Sequence, residues 1–155
     1  MRAVIQRVSE ASVAAPGHAA RIDRGLVVLV GVERGDGAAD VEYIARKIRE
    51  LRVFDDDAAG ADATNKGFAR SVQDVGGRVL LVSQFTLAAD CTRGRRPSFD
   101  AAAPPDVARP MYEAVVSALR DTGLTVATGV FQAMMQVSLV NDGPVTLLLD
   151  SRRRF

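Results

Sequence analysis

Leu26-Val27-Val28-Leu29-Val30-Gly31-Val32 is the stretch on which the fold turns. Seven residues are far too few to cross a bilayer, which takes about 20. With no polar residue to give it a wet side, the run is expected to be a strand covered on both faces, central in a sheet. Residues 78–83, opened by Gly76-Gly77 and continuing into Gln84-Phe85-Thr86-Leu87, read the same way, with polar groups gathered at the C-terminal end. Before them, the alternation through Ala3, Ile5, Val8, Ala11 and Val13 predicts two short strands with a break at Ser9-Glu10. Pro16-Gly17 makes a turn, and 20–22 is another strand. Val41, Ile44, Ala45, Ile48 and Leu51 have helical spacing, so a helix is expected over 38–51, capped by Asp36 or Asp40. Val53-Phe54 is a short strand, and residues 55–75 form a long loop. Residues 88–105 are irregular. A second helix spans 106–122, with Val107, Met111, Val115, Ala118 and Leu119 on one stripe and Gly123 just past its end. Strands at 136–140 and 145–149 close the chain, separated by Asn141-Asp142-Gly143-Pro144. This is one α/β domain over 1–150, with a mostly antiparallel or mixed sheet and two helices, and a tail at 151–155 expected to fray.

Composition narrows the functions. The chain has 155 residues, 48% hydrophobic and 25% charged, which suits one compact domain and not a disordered one. The first residues hold no uninterrupted apolar core, because Arg2, Gln6, Arg7 and Glu10 break it, so a cytoplasmic protein is expected and no membrane partner. One cysteine, Cys91, excludes an internal disulfide. One histidine, His18, sits in Pro16-Gly17-His18, an expected hairpin tip, so an enzyme built on this chain would not use histidine as its base. No metal and no cofactor are expected. The net charge of +1 does not advertise a polyanion, so any nucleic-acid site must be local. Eighteen arginines against Lys47 and Lys66, with 24 alanines, read as a coding bias more than as a phosphate-binding signal. Arg93, Arg95 and Arg96 are the one local cluster in the irregular segment.

Two segments carry the chemistry. Ser83-Gln84-Phe85-Thr86-Leu87 sets two hydroxyls and an amide at a strand end, where unpaired backbone N–H groups are available as donors. Its plain alternative is a strand ending in a polar loop. Asn141-Asp142-Gly143-Pro144-Val145-Thr146 has the residues of a hairpin turn, yet a proline opening a strand removes a ladder donor, and an X-Pro bond is where a cis peptide is cheap.

Together these segments resemble the two signature motifs of the D-aminoacyl-tRNA deacylase family. The likeness extends to Gln6-Arg7-Val8, to Arg93-Gly94-Arg95-Arg96-Pro97-Ser98-Phe99, and to Met135-Gln136-Val137-Ser138-Leu139-Val140. It is loose at Asn65-Lys66-Gly67-Phe68 and Arg70-Ser71, and Arg152-Arg153-Arg154 lies outside it. The resemblance implies a barrel-like sheet and a homodimer with active sites at the interface, hydrolysing the ester between a D-amino acid and the terminal adenosine of tRNA. Ser83, Gln84, Phe85 and Thr86 would be the catalytic segment. Gly143-Pro144, as a cis peptide inserted into the partner's site, would exclude L side chains, Arg7 would orient that peptide, and Asn141 would belong to the same motif. Phe131 and Met135 would help to form an adenine pocket. Glycine, having no side chain to exclude, would pass the filter. The ribose 2′-OH would assist the reaction; Thr86 as nucleophile is the alternative, with no evident base. Other functional classes are a non-catalytic tRNA-binding module, with the three loop arginines on phosphates, and a structural dimer.

Overall fold

The computed structural model describes residues 1–56 and 68–155. The expectation for Asn65, Lys66 and Gly67, and most of the expected 55–75 loop, lies outside them. The elements are β1 (Arg2–Ala15), β2 (His18–Ile22), β3 (Gly25–Gly31), α1 (Ala38–Glu50), β4 (Arg78–Ser83), a 3-10 turn (Phe85–Ala88), α2 (Pro105–Arg120), β5 (Val126–Thr128) and β6 (Gln136–Asp150).

β3 and β4 lie side by side in parallel at the centre of the strand order β2-β1-β3-β4-β5. Successive side chains leave opposite faces of a strand, so each of these strands feeds two cores. Leu26, Val28, Val30, Val79 and Leu81 pack with Ile44 and Ile48 of α1 and Val115 and Leu119 of α2. Val27, Leu80 and Val82 join Val8, Val13 and Ile22 on the other side. That double burial is what their unbroken apolar sequence specified. The two ends of the strand order meet, because His18 Nε2 on β2 is hydrogen-bonded to Thr128 O on β5 at 2.8 Å. The mixed sheet is thereby nearly closed into a barrel, with both helices packed on its outer face. No described helix is long and apolar enough to cross a membrane.

Four expectations need correction. β1 is one strand of 14 residues, not two. At Ser9-Glu10 it changes partners instead of ending: Arg2 to Val8 pair with β3, and Ala11 to Ala15 pair with β2. β6 is likewise one strand, antiparallel to β1 along its whole length. Asn141 to Pro144 does not reverse the chain. Between the pairs Val8↔Asn141 and Gln6↔Thr146, β1 advances two residues and β6 five, so the segment bulges out of the ladder. Helix α1 has Gly37 at its N-cap, and of the two acids expected there Asp40 takes part from the first turn, accepting the Gly37 N–H at 2.8 Å. Asp36 is used elsewhere, accepting from the Glu33 N–H and from the α-ammonium of Met1, each at 2.6 Å. Finally, the segment after Asp150 is anchored: Arg152 donates to Arg34 O and to Asp36, and Arg154 to Asp150 and Glu33. Buried carboxylates recruit those arginines, which composition alone did not reveal.

Smaller shifts follow local chemistry. α2 begins at Pro105, whose missing N–H costs nothing in the first turn of a helix. Val53-Phe54 makes only a bridge, Phe54 to Arg70. β5 is three residues long, too short to show a period, and it adds to the sheet through Val79↔Val126.

Candidate active site

β4 ends where its polar residues begin. The Gln84 N–H still bonds to Val30 O at 2.8 Å, and then the chain tightens into the 3-10 turn, with the Leu87 N–H on Gln84 O at 3.2 Å. Phe85 and Thr86 therefore open a helical turn, and their N–H groups precede its first internal bond. The turn sits against β3 because residue 31 is glycine: a Cβ there would lie 2.8 Å from Gln84 O and 3.0 Å from Leu87 Cβ. The Gln84 amide nitrogen bonds to Thr86 Oγ1. An amide is no base in either orientation, so the neighbour of Thr86 cannot take its proton.

This turn forms the rim of a cavity of about 700 Å³, lined by Ser83, Gln84, Phe85, Thr86, Tyr112, Phe131 and Met135 among others. Six of the expected site residues thus meet in one place, brought from β4 and from the segment between β5 and β6. Met135 reaches the cavity over Gly129, where a Cβ would stand 2.6 Å from its sulfur. Phe131 lies 6.0 Å from the Tyr112 ring and carries the Arg109 guanidinium at 4.6 Å from its centroid. Phe85 is 59% exposed beside the cavity and packs edge-on against Phe99 at 5.1 Å. That contact brings the loop of Arg93, Arg95 and Arg96 beside the turn. All three arginines are exposed, and among the described residues no carboxylate pairs with them. Asp90 and Asp100, the nearest acids in sequence, are engaged by the Thr92 N–H and the Ser98 hydroxyl.

The other four expected residues form a second group, away from the lining of this cavity. Gly143-Pro144, a cis peptide, is exposed at the tip of the β6 bulge. The Asn141 side chain spans the mouth of the bulge, accepting from the Val145 N–H at 2.8 Å and donating to Thr146 Oγ1 at 3.0 Å. Arg7, on the strand opposite, is only 8% exposed. Its Nε donates to Asp142 O at 2.9 Å and its Nη1 to Val53 O at 2.6 Å, fastening the bulge to the segment after α1. Gly143 has φ +134°, and a Cβ there would meet Val145 Cγ2 at 2.8 Å and the Arg7 guanidinium at 2.9 Å.

Sequence reasoning missed Tyr112 and Arg109. Tyr112 lies on the buried stripe of α2, where a hydroxyl among aliphatics was the available signal. Burial pushes its phenol well above the ordinary tyrosine range, and it stays protonated, donating to Leu81 O at 2.8 Å. It is a fixed wall and not a base. Arg109 gave no signal, because its partner ring is 22 residues away.

The architecture recurs in a solved structure described as a probable eukaryotic D-amino acid tRNA deacylase, with a TM-score of 0.78 at 14% identity over 96% of this chain and 97% of that one. The fold is therefore that of a class of proteins that includes this one. The family model for D-Tyr-tRNA(Tyr) deacylase matches residues 4–150. The D-aminoacyl-tRNA deacylase of Heliobacterium modesticaldum is 56% identical over 98% of this chain and 97% of its own. A solved structure of a c-Myc DNA unwinding element binding protein is 40% identical, with a TM-score of 0.86 over 97% of this chain and 98% of that one. The chain belongs to the D-Tyr-tRNA(Tyr) deacylase family, and it is an enzyme, a hydrolase.

Proposed function

We propose that the chain cleaves the ester of D-aminoacyl-tRNA in the cavity beneath the Phe85–Ala88 turn and rejects L-aminoacyl-tRNA through Gly143-Pro144 supplied by a second copy of the chain. The observation that carries this reading is the division of the motif residues into two groups. Ser83 to Thr86, Phe131 and Met135 share a cavity, whereas Gly143-Pro144 projects away from it on a bulge held rigid by Arg7 and Asn141. A protruding, braced peptide suits insertion into a neighbour. β6 supports a second copy as that neighbour: among the described residues it pairs with β1 alone and leaves its other edge open over 15 residues, and it exposes Val137, Val140 and Leu148.

In this mechanism the terminal adenosine stacks between Phe131 and Met135, and the ester carbonyl sits at the turn. The N–H groups of Phe85 and Thr86 stabilise the oxyanion, each donor being worth about 3 kcal/mol. Water is oriented by the ribose 2′-OH, which donates and accepts. Gln84 and Thr86 then shape the site, with Thr86 held by an amide. The filter excludes L side chains without gripping D side chains, so glycyl-tRNA is also a substrate. No metal or cofactor enters the scheme. The loop arginines Arg93, Arg95 and Arg96 meet the phosphates next to the acceptor end.

The decisive experiment charges tRNA with D-Tyr, L-Tyr and Gly and follows release at sub-stoichiometric protein. Multiple turnovers on D-Tyr and Gly with L-Tyr spared are expected. A protein that binds and protects the ester of D-Tyr-tRNA is instead a tRNA-binding module, and cleavage of L-Tyr-tRNA at the D-Tyr rate removes the filter.

A further inference from the structure

Arg2 is the β1 residue registered with Gly31 of β3, the position on which the Phe85–Ala88 turn is seated. From there its guanidinium reaches the far end of the turn, Nη1 donating to Leu87 O at 2.8 Å. The last carbonyls of a helical turn lack internal donors, and a cation there also complements the backbone dipoles. The other side of the guanidinium faces two buried acids, with Nε 3.3 Å from Glu33 Oε1 and 3.7 Å from Asp150 Oδ2. Glu33 and Asp150 are 2% and 3% exposed, so a cation beside them offsets the cost of burying two carboxylates. Arg154 supplies another, its Nε donating to Asp150 at 2.7 Å and its Nη2 to Glu33, and the Met1 α-ammonium lies 3.8 Å from Glu33 Oε2. The two arginines thus serve the same carboxylate pair, yet it is Arg2 that also touches the turn.

We propose that Arg2 is a positioning residue for deacylation. It clamps the C-terminal end of the turn so that the N–H groups of Phe85 and Thr86 keep their aim, while Glu33 and Asp150 fix the clamp and Arg154 and the Met1 α-ammonium share in balancing their charge. The inference rests on the reading of those N–H groups as oxyanion donors.

The test compares Arg2→Met with Arg154→Met. Each removes one cation from the same acids, so both lower Tm, and kinetics are read well below either midpoint. Arg2→Met is expected to lower kcat on D-Tyr-tRNA about tenfold, a fraction of the loss on deleting an oxyanion donor, with KM within about twofold. The Leu87 and Ala89 amides, which close the turn, should exchange with solvent about tenfold faster in Arg2→Met. In Arg154→Met both kcat and exchange should stay near the parent. Arg2→Lys keeps a donor for Leu87 O and should recover kcat to within about threefold. If Arg2→Met yields no folded protein, Arg2→Gln, which stops short of Leu87 O, replaces it under the same criteria. Equal kcat loss in the Arg2 and Arg154 variants, or unchanged exchange at Leu87 and Ala89, overturns the proposal. Absence of turnover by the parent protein sinks the deacylation reading instead, and the exchange comparison still decides whether Arg2 holds the turn.

Discussion

Thr86 brings a hydroxyl to the cavity rim and has a neighbour that cannot activate it, since the Gln84 amide is not a base. The contrast sets the first prediction. Thr86→Ala should keep kcat within about a factor of five, whereas a substrate ending in 2′-deoxyadenosine should lose about a hundredfold or more, the usual worth of a positioned proton-transfer group. Single-turnover rates with the two substrates decide it; a dead alanine variant alongside normal cleavage of the deoxy substrate reverses the roles. Gly143 is a second position where one atom matters. At φ +134° a side chain is strained by about 1–3 kcal/mol, and the new Cβ collides with Val145 and the Arg7 guanidinium. Gly143→Ala should therefore displace the tip of the bulge, raising L-Tyr-tRNA cleavage at least about tenfold while D-Tyr-tRNA cleavage changes little. Selectivity that survives this substitution would detach the bulge from the chiral filter.

Arg7 belongs to the scale of elements, because it ties the β6 bulge of one strand to the segment after α1 through Asp142 O and Val53 O. Arg7→Ala leaves both carbonyls short of a charged donor, each such bond being worth about 1.5–3 kcal/mol. A fall in Tm together with relaxed D-over-L selectivity is expected, and a fall in Tm alone would make Arg7 merely structural. The loop of Arg93, Arg95 and Arg96 is the corresponding element at the cavity mouth. Changing all three to Ala should weaken tRNA binding and flatten its salt slope, by up to about 0.9 for each phosphate no longer neutralised; an unchanged slope assigns the loop to other work. These elements also mark where the sequence was legible. β3 and β4 declared themselves because a strand buried on both faces has no polar residues to confuse its pattern, and both helices showed stripes long enough to have a period. β6 misled for the opposite reason. Asn-Asp-Gly-Pro is turn chemistry wherever it occurs, and only the pairing of both flanks with one partner, β1, distinguishes a bulge from a hairpin. The six residues that meet at the cavity were named through their motif and not through chemistry, since a site proposed to work through backbone donors offers no acid, base or metal ligand to read. Arg2 and Arg154 could not be read, because the acid that joins them, Glu33, is buried and remote from both in sequence.

The whole molecule is fastened by acids at the end of the sheet, and acid should loosen it. Burial raises the Asp150 carboxyl, but hydrogen bonds from Arg154 and the Arg152 N–H more than offset it and hold it below its ordinary value of 3.8. Asp40 follows the same balance, burial opposed by the Ser151 hydroxyl and the Gly37 N–H. A carboxylate with a lowered folded pKa contributes stability above its unfolded value and loses it as pH falls through the folded one. Tm should thus stay level down to about pH 5 and drop below about pH 4, with the drop reduced in Asp150→Asn. The remaining question at this scale is whether one site is built by two chains. If Gly143-Pro144 of one copy completes the cavity of the other, two separate defects must sort by geometry when variant subunits are mixed. Take Gly143→Ala as the filter defect and Phe85→Pro, which deletes a proposed oxyanion N–H at the first position of the turn, as the catalytic one. In a mixed dimer, the cavity of the Gly143→Ala subunit receives an intact bulge from its partner, so that site is free of both defects. The other cavity combines the two and is silent. Subunits that arrive with relaxed selectivity, or with little activity, should together produce D-selective cleavage, reaching about half the parent rate per dimer in tagged, purified heterodimers. Heterodimers that instead cleave L-Tyr-tRNA would show that each chain filters its own cavity.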